Sequence, residues 1–340
     1  MRGQPVMADV ARLAGVSHQT VSRVVNGHPH IRPATRSRVE DAIAALGYRP
    51  NGVARALAVR RSGTIGVVST DTALHGPATV QRSVEEAAAR AGYVATTVTI
   101  REATTDELGR ALDRLVRATV EGIVLVAGSD AALLLARSAD FPVPLVVAQG
   151  DLTASGSAVG VDQLQGARAA TRHLIGLGHT RIAHVSGPLG WPEARARREG
   201  WLGELAAAGL DPGPEHEGDW TPAGGHAAGL LLAAQPDVTA VFVANDHMAV
   251  GLLRALVEAG RGVPGDVSVV GFDDIPEAGY LLPPLTTVRQ DFATVGRRAI
   301  EVLHGMLTGV PDPGPRLTTP VLAPRASTAA PGTPAVRVAS

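Results

Sequence analysis

From Thr64 onward the chain alternates short aliphatic runs with stretches of helical periodicity, and this alternation narrows its fold more than any other feature. The runs lie at 65–69, 93–100, 122–127, 144–148, 181–186, 240–244 and 267–272. Helical stretches are expected near 77–91, 106–117, 163–177, 193–208, 223–234, 247–259 and 292–307. A strand that is apolar throughout is buried on both faces, and strands alternating with helices build parallel sheets in α/β domains. Some 260 residues of this pattern exceed one sheet, so two lobes are expected. At 45% hydrophobic and 3% aromatic residues, the core must be aliphatic.

Residues 1–62 differ in kind. They show helical periodicity only, and they carry ten arginines against three acids (Asp9, Glu40, Asp41), a net charge of +7. The remainder carries 21 basic and 29 acidic residues, or −8. A basic head on an acidic body points to a polyanion as the partner of the head. There is no cysteine, which excludes disulfides, thiolate metal sites and a cysteine nucleophile and fits a cytoplasmic location. No apolar run approaches the roughly 20 residues that span a membrane, so neither membrane contact nor a signal peptide is expected.

Within the head, 7–14 forms a short amphipathic helix with Val10, Leu13 and Ala14 on one face. Gly15-Val16 makes a turn, and Ser17 caps a second helix that ends at Asn26-Gly27. A third helix runs over 33–46 with Val39, Ile43 and Leu46 inside and Gly47 as its stop; Arg32 stands where a Ser or Thr cap is expected. This is the plan of a helix-turn-helix, whose second helix enters the major groove. Its exposed residues are His18, Gln19 and Arg23, with Ser17, Thr20, Ser22 and Asn26 near the DNA backbone. Gln pairs bidentately with adenine and Arg with guanine. His28 and His30 form an H-x-H pair, but no further ligands lie nearby and no metal is expected.

The segment Met7–Asn26, MADVARLAGVSHQTVSRVVN, resembles the head of the lactose-repressor (LacI/GalR) family. The resemblance implies that His18, Gln19 and Arg23 read operator bases, supported by Asn26 and His30. It also implies that 50–57, PNGVARAL, is a hinge helix in the minor groove, with Asn51 as its cap, Ala54 allowing close approach and Leu57 as an apolar wedge. A helix this short is unstable alone, and Gly52 weakens it by about 1 kcal/mol more. It should form only on DNA.

The resemblance continues to about Arg325 and implies an α/β periplasmic-binding-protein-like body of two parallel-sheet lobes with a ligand between them. The expected division is a helix-turn-helix head at 1–49 and a hinge and linker at 50–62. One lobe takes 63–160 with 290–318, the other 161–289 with 319–328, and 329–340 is a disordered tail; 312–317 reads as a Pro/Gly-rich linker. Ligands of open parallel sheets bind at strand C-terminal ends, which suits Asn245 and Asp273, while Asp246 and Asp274 read as strand-end caps. The resemblance adds Arg197 as a donor to ligand hydroxyls, Trp220 as a stacking platform, and Trp191, Glu193 and His247 as further contacts. In the first lobe it implies Thr70, an apolar wall of Leu74, Pro77, Val80 and Phe292, and Gln149 in place of a carboxylate. The loop at 70–77 is more similar to the galactoside-sensing branch than to purine sensors.

These features imply a homodimeric repressor of a carbohydrate-utilisation operon, released from a pseudo-palindromic, double-stranded operator by a small carbohydrate effector such as a β-galactoside. A non-galactoside ligand or a corepressor remains the alternative on the same fold, and a solute-binding protein the alternative from another class. No cofactor is implied. An enzyme is not expected, because there is no G-x-S-x-G elbow, P-loop or metal-spaced histidine cluster.

Overall fold

The computed structural model describes residues 5–25, 28–48, 61–70, 74–101, 104–126, 142–149, 157–310 and 314–332. They belong to two units, Met1–Ser62 and Gly63–Ser340. The hinge residues Asn51, Ala54 and Leu57, and Asn26 in the head, lie outside the described residues.

The head contains α1 (Met7–Ala14), α2 (His18–Val25) and α3 (Pro33–Leu46). Gly15 and Gly47 stop α1 and α3 in the left-handed region, at φ 63° and 61°, where a side chain would be strained. Val10, Val21 and Val39 are fully buried at the centre, closed by Ala11, Ala14, Val24, Ala42 and Tyr48. Leu13, expected inside, is 56% exposed. At about 100° per residue it falls far from the face shared by Val10, Ala11 and Ala14, so Ala11 takes its place. Ile43 and Leu46 are half-buried against the same core. Arg32 makes no side-chain cap, and Pro33 starts α3, where its missing N–H costs nothing.

The body has two six-stranded sheets. The first comprises β1 (Thr64–Ser69), β2 (Val94–Thr99), β3 (Gly122–Val126), β4 (Leu145–Ala148), β5 (Ala158–Val161) and β11 (Leu317–Thr318), in the order β11-β5-β4-β3-β1-β2. The second comprises β6 (Ile182–Ser186), β7 (Glu215–Glu217), β8 (Ala240–Val243), β9 (Ser268–Asp273), β10 (Thr286–Arg289) and β12 (Val321–Ala323), in the order β12-β10-β9-β8-β6-β7. All pairings are parallel except β10–β12. Helices α4 (His75–Arg90), α5 (Thr105–Arg117) and α10 (Phe292–Thr308) cover the first sheet. Helices α6 (Gln163–Gly176), α7 (Pro192–Ala207), α8 (Pro222–Ala233) and α9 (Asp246–Glu258) cover the second.

Cover on both faces explains the fully buried runs of β3, β4, β6, β8 and β9. One face of the second sheet carries Trp201, Phe242 and Phe272, the other an aliphatic layer against α8 and α9. The chain passes between lobes three times, after β5, β10 and β11. At the first two passages an aspartate caps the incoming helix: Asp162 accepts from Gln165 N and Asp291 from Thr294 N, each at 2.9 Å.

The sequence pattern misses β5, β7, β10, β11 and β12. Their segments, AVGV, EHE, TTVR, LT and VLA, are short or polar and give no aliphatic run. Leu317, expected in a linker, belongs to β11. Ala329, expected in the disordered tail, is held on the second lobe. Its N–H donates to Ser268 Oγ at 3.0 Å, and its carbonyl lies 2.9 Å from His179 Nε2. His179 and Ser268 are 3.0 Å apart, but both are committed to this strap at the start of the strands, so the pair is structural. Among the described residues no helix is long and apolar enough to cross a membrane.

Ser327 anchors the strap. Fully buried, its hydroxyl donates to Val269 O at 2.6 Å and accepts from Thr286 N at 2.8 Å. Ser327→Ala orphans both backbone groups and should cost about 1–3 kcal/mol. Calorimetry should show an unfolding midpoint lower by a few degrees; an unchanged midpoint removes the strap from the stability of the body.

Candidate functional site

Two surfaces carry chemistry. On α2 the Ser17 hydroxyl accepts from Thr20 N at 3.2 Å and caps the helix. Val21 and Val24 are buried and fix its orientation, which leaves His18, Gln19 and Arg23 exposed, with Thr20 and Ser22 half-buried. Gln19 and Arg23 stand four residues apart, on one face. His30 is exposed beyond the helix.

The second surface is a cleft between the lobes, lined by residues of both. Its two sides differ. Leu74, Pro77 and Phe292 from the first lobe form an apolar wall, with His75 edge-on to Phe292 at 5.9 Å. The second lobe supplies Glu193, Arg197, Asn245 and Asp273, together with two tryptophans. Leu74 also packs against the core of the second lobe.

Arg197 is the centre of the polar side. Its position in α7 buries it to 5% exposure. Nε donates to Gln163 Oε1 at 2.9 Å, Nη1 donates to Ala244 O, and Nη2 lies 3.8 Å from Asp273 Oδ1. The guanidinium sits 4.0 Å from the Phe272 ring centre and 5.5 Å from that of Trp220. Burial draws its pKa below the usual range, opposed by Asp273, Glu193 and Asp246. Burial likewise pushes Asp273 up, against the pull of Arg197. Asp273 accepts from Gln290 Nε2 at 2.6 Å. Burial lowers the pKa of His75, with Asp273 opposing.

Trp220 is 7% exposed and lies against Gly187, where a Cβ would come within 2.1 Å of its ring. Trp191 meets it edge-on at 6.0 Å and 78°. The indole N–H of Trp220 is buried without a hydrogen-bond partner among the described residues, a donor suited to a ligand oxygen. Gln149, Trp220 and Asp273 all have φ in the left-handed region, at 70°, 69° and 119°. Strain of this kind collects at functional sites.

Ten of the residues expected at the effector site line this cleft: Leu74, Pro77, Gln149, Trp191, Glu193, Arg197, Trp220, Asn245, Asp273 and Phe292. Three do not. Val80 is fully buried in the core of the first lobe. Thr70 is buried outside the lining. His247 is half-buried and is not among the lining residues.

Asn245 has a role beyond its expected one. Its Oδ1 caps α9 by accepting from Met248 N at 2.9 Å, and its Nδ2 donates to Trp220 O at 3.0 Å, which holds the strained tryptophan in place. Asp246 and Asp274, read as strand-end caps, are both engaged near the end of β9. Asp246 is a buried bridge to Ile275 N and Thr287 Oγ1, while Asp274 pairs with Arg289 and Arg325 at 2.5 and 2.6 Å. His75, Gly76 and Gln290 line the cleft and were not anticipated. Gln290 follows β10, so the strand-end rule would have found it had the strand been recognised.

An exposed polar helix on a basic head, carried with a two-lobed body that encloses a half-polar cleft, has the parts of a DNA-binding regulator. Comparison with known proteins names the group. Residues 6–51 match the model of the bacterial regulatory proteins of the lacI family, and 171–328 match that of the periplasmic binding protein-like domain. The lactose operon repressor of Escherichia coli (strain K12) is 36% identical over 329 residues, 96% of this chain and 91% of that one. The ribose operon repressor of the same strain is 36% identical over 327 residues, 94% of this chain and 99% of that one. The crystal structure of the lac repressor dimer bound to operator and the anti-inducer ONPF superposes with a TM-score of 0.88 at 34% identity, covering 96% of this chain and 99% of that one. A complex of the transcriptional regulator CelR with cellobiose gives 0.71 at 35% identity, covering 95% and 99%. The chain belongs to the lacI family of transcriptional repressors, and it is not an enzyme.

Asp246 supplies a test of the electrostatics beneath the cleft. Burial pushes its carboxyl up to about 8, with Asp273 adding to the shift. The folded state then holds a proton that the unfolded state releases, so this contribution is full below about pH 4 and is lost as pH rises towards 8. Asp246→Asn keeps an acceptor for Ile275 N and offers a donor to Thr287. Its stability in urea titrations should fall less than that of the wild type between pH 5 and 8.5, and parallel curves would place the buried proton elsewhere.

Proposed function

We propose that this chain is a homodimeric repressor of a carbohydrate-utilisation operon, released from a pseudo-palindromic operator in the cytoplasm when a sugar fills the interlobe cleft. The observation that carries this reading is the pairing of opposite surfaces in the cleft. Arg197 and Asp273 offer a donor and an acceptor to hydroxyls, while Trp220, Trp191 and the Leu74–Phe292 wall offer apolar faces to ring C–H groups. Glu193 adds a second carboxylate on the polar side. Gln149 is an amide where a carboxylate is expected for a galactoside, which favours screening other β-linked disaccharides beside lactose.

Two heads suit a two-half-site operator. Tyr280 and Leu282 are 88% and 86% exposed on the second lobe, where a second copy would cover them. His18, Gln19 and Arg23 read bases on this reading, supported by Ser17, Thr20, Ser22, Asn26 and His30. Asn51, Ala54 and Leu57 enter the minor groove in a hinge that forms only on DNA. A sugar acts through its different affinity for the two arrangements of the lobes.

An operator selected from a random duplex library allows the test by fluorescence anisotropy, with lactose, cellobiose and ribose as probes. At least one should weaken operator binding about 5- to 150-fold. Tightening would make the ligand a corepressor, and no change with any sugar would sink the carbohydrate reading. Arg23→Ala should cost roughly 1–3 kcal/mol on the selected operator and relax its specificity at one base pair. Unchanged operator affinity would take Arg23 out of the recognition surface.

A further inference from the structure

Gln163 opens α6 directly after the first passage between lobes, and it does not line the cleft. Its side chain is nevertheless engaged at both ends. Oε1 accepts from Arg197 Nε at 2.9 Å, and Nε2 donates to Gln290 Oε1 at 2.8 Å. Gln290, just after β10 at the second passage, donates onward to Asp273 Oδ1 at 2.6 Å. Asp273 Oδ1 faces Arg197 Nη2 at 3.8 Å, which closes a ring of four side chains.

Every donor in this ring points the same way. The guanidinium donates to an amide, that amide to a second amide, and the second amide to a carboxylate. Hydrogen bonds in such a chain polarise and strengthen one another. The two charged ends line the cleft, and the two amides stand where the chain crosses between lobes. A ligand hydroxyl that draws on Arg197 or Asp273 therefore also pulls on both crossings.

We propose that Gln163 is a positioning residue that transmits occupancy of the cleft to the angle between the lobes, an inference that rests on the cleft being the effector site. The position requires a group that accepts at one atom and donates at its neighbour. An amide side chain does both without charge. A carboxylate there would keep the bond from Arg197 and face the Gln290 carbonyl with an oxygen. Turning the Gln290 amide to compensate would set its oxygen against Asp273. The link to the second crossing is lost in either case, while Arg197 stays held.

The test compares full-length wild type with Gln163→Glu and Gln163→Leu. Lactose and cellobiose are the probes, sugar affinity is measured by calorimetry, and operator affinity is measured with and without saturating sugar. Gln163→Glu should bind sugar within about threefold of wild type, yet shrink the ratio of operator affinities at least about fivefold. Gln163→Leu should lose about tenfold or more in sugar affinity and also lose the ratio. A merely structural role would lower the melting temperature and leave the ratio intact; that result overturns the proposal, as does a wild-type ratio in Gln163→Glu.

Should neither sugar bind the wild type, the carbohydrate reading fails and the ring is tested separately by hydrogen–deuterium exchange. Gln163→Leu and Gln290→Leu should each speed exchange at 159–166 and 287–294. The double variant should be no faster than the faster single one, because either change breaks the same ring. Additive acceleration overturns the proposal.

Discussion

The body depends on a guanidinium taken out of water. Burying an unpaired cation costs several kcal/mol, so Arg197 persists only because its neighbours converge on it. Gln163 comes from the start of α6, Ala244 from the end of β8, Asp273 from the end of β9, and the rings of Phe272 and Trp220 lie beside it. These elements are far apart in sequence. The charge specifies their arrangement more than it stabilises it, since an apolar group of the same shape would be easier to bury. What it fixes is the floor of the cleft, to the tolerance of a hydrogen bond.

The same site holds the backbone strain. Apart from Gln149, Trp220 and Asp273 at the cleft, the non-glycine residues with positive φ among those described are Asp274, next to the site, and Thr119. Each such residue costs about 1–3 kcal/mol and survives only where its surroundings over-determine it. For Trp220 the surroundings are visible. Asn245 holds its carbonyl, Gly187 leaves room for its ring, and Trp191 meets it edge-on. The ring is therefore set before any ligand arrives, and little ordering remains to be done on binding.

Much of this was legible in the sequence, for reasons that also mark the limit. Strands buried on both faces announce themselves as aliphatic runs, so β1, β3, β4, β6, β8 and β9 were found and the α/β class followed. Strands at or beside a sheet edge have no such signature: β7 is EHE, and β10 is TTVR, recognisable only through its partner β9. Missing β10 hid Gln290. Adjacent polar residues were harder still. Asn245 and Asp246 differ in sequence by one position, yet one caps a helix at the cleft and the other is buried beneath it. Leu13 shows a similar limit in the head, where it was placed on one helical face with Val10 and Ala14 but the buried face turns towards Ala11 instead.

The division of the cleft bears on how a ligand could act at a distance. A ligand that touched the second lobe alone would bind both arrangements of the lobes equally and shift nothing, however tight its binding. Here the polar side chains come from the second lobe and the Leu74–Phe292 wall from the first, so a ligand that touched both would make full contact only at one separation. Affinity is then itself a function of lobe angle, which is the differential that any allosteric effect requires. Leu74 makes the dependence concrete, because it begins a helix of the first lobe and packs on the core of the second. Opening the cleft strips that contact and the ligand's apolar face together. Occupancy and closure would thus stabilise each other, through surfaces that neither lobe possesses alone.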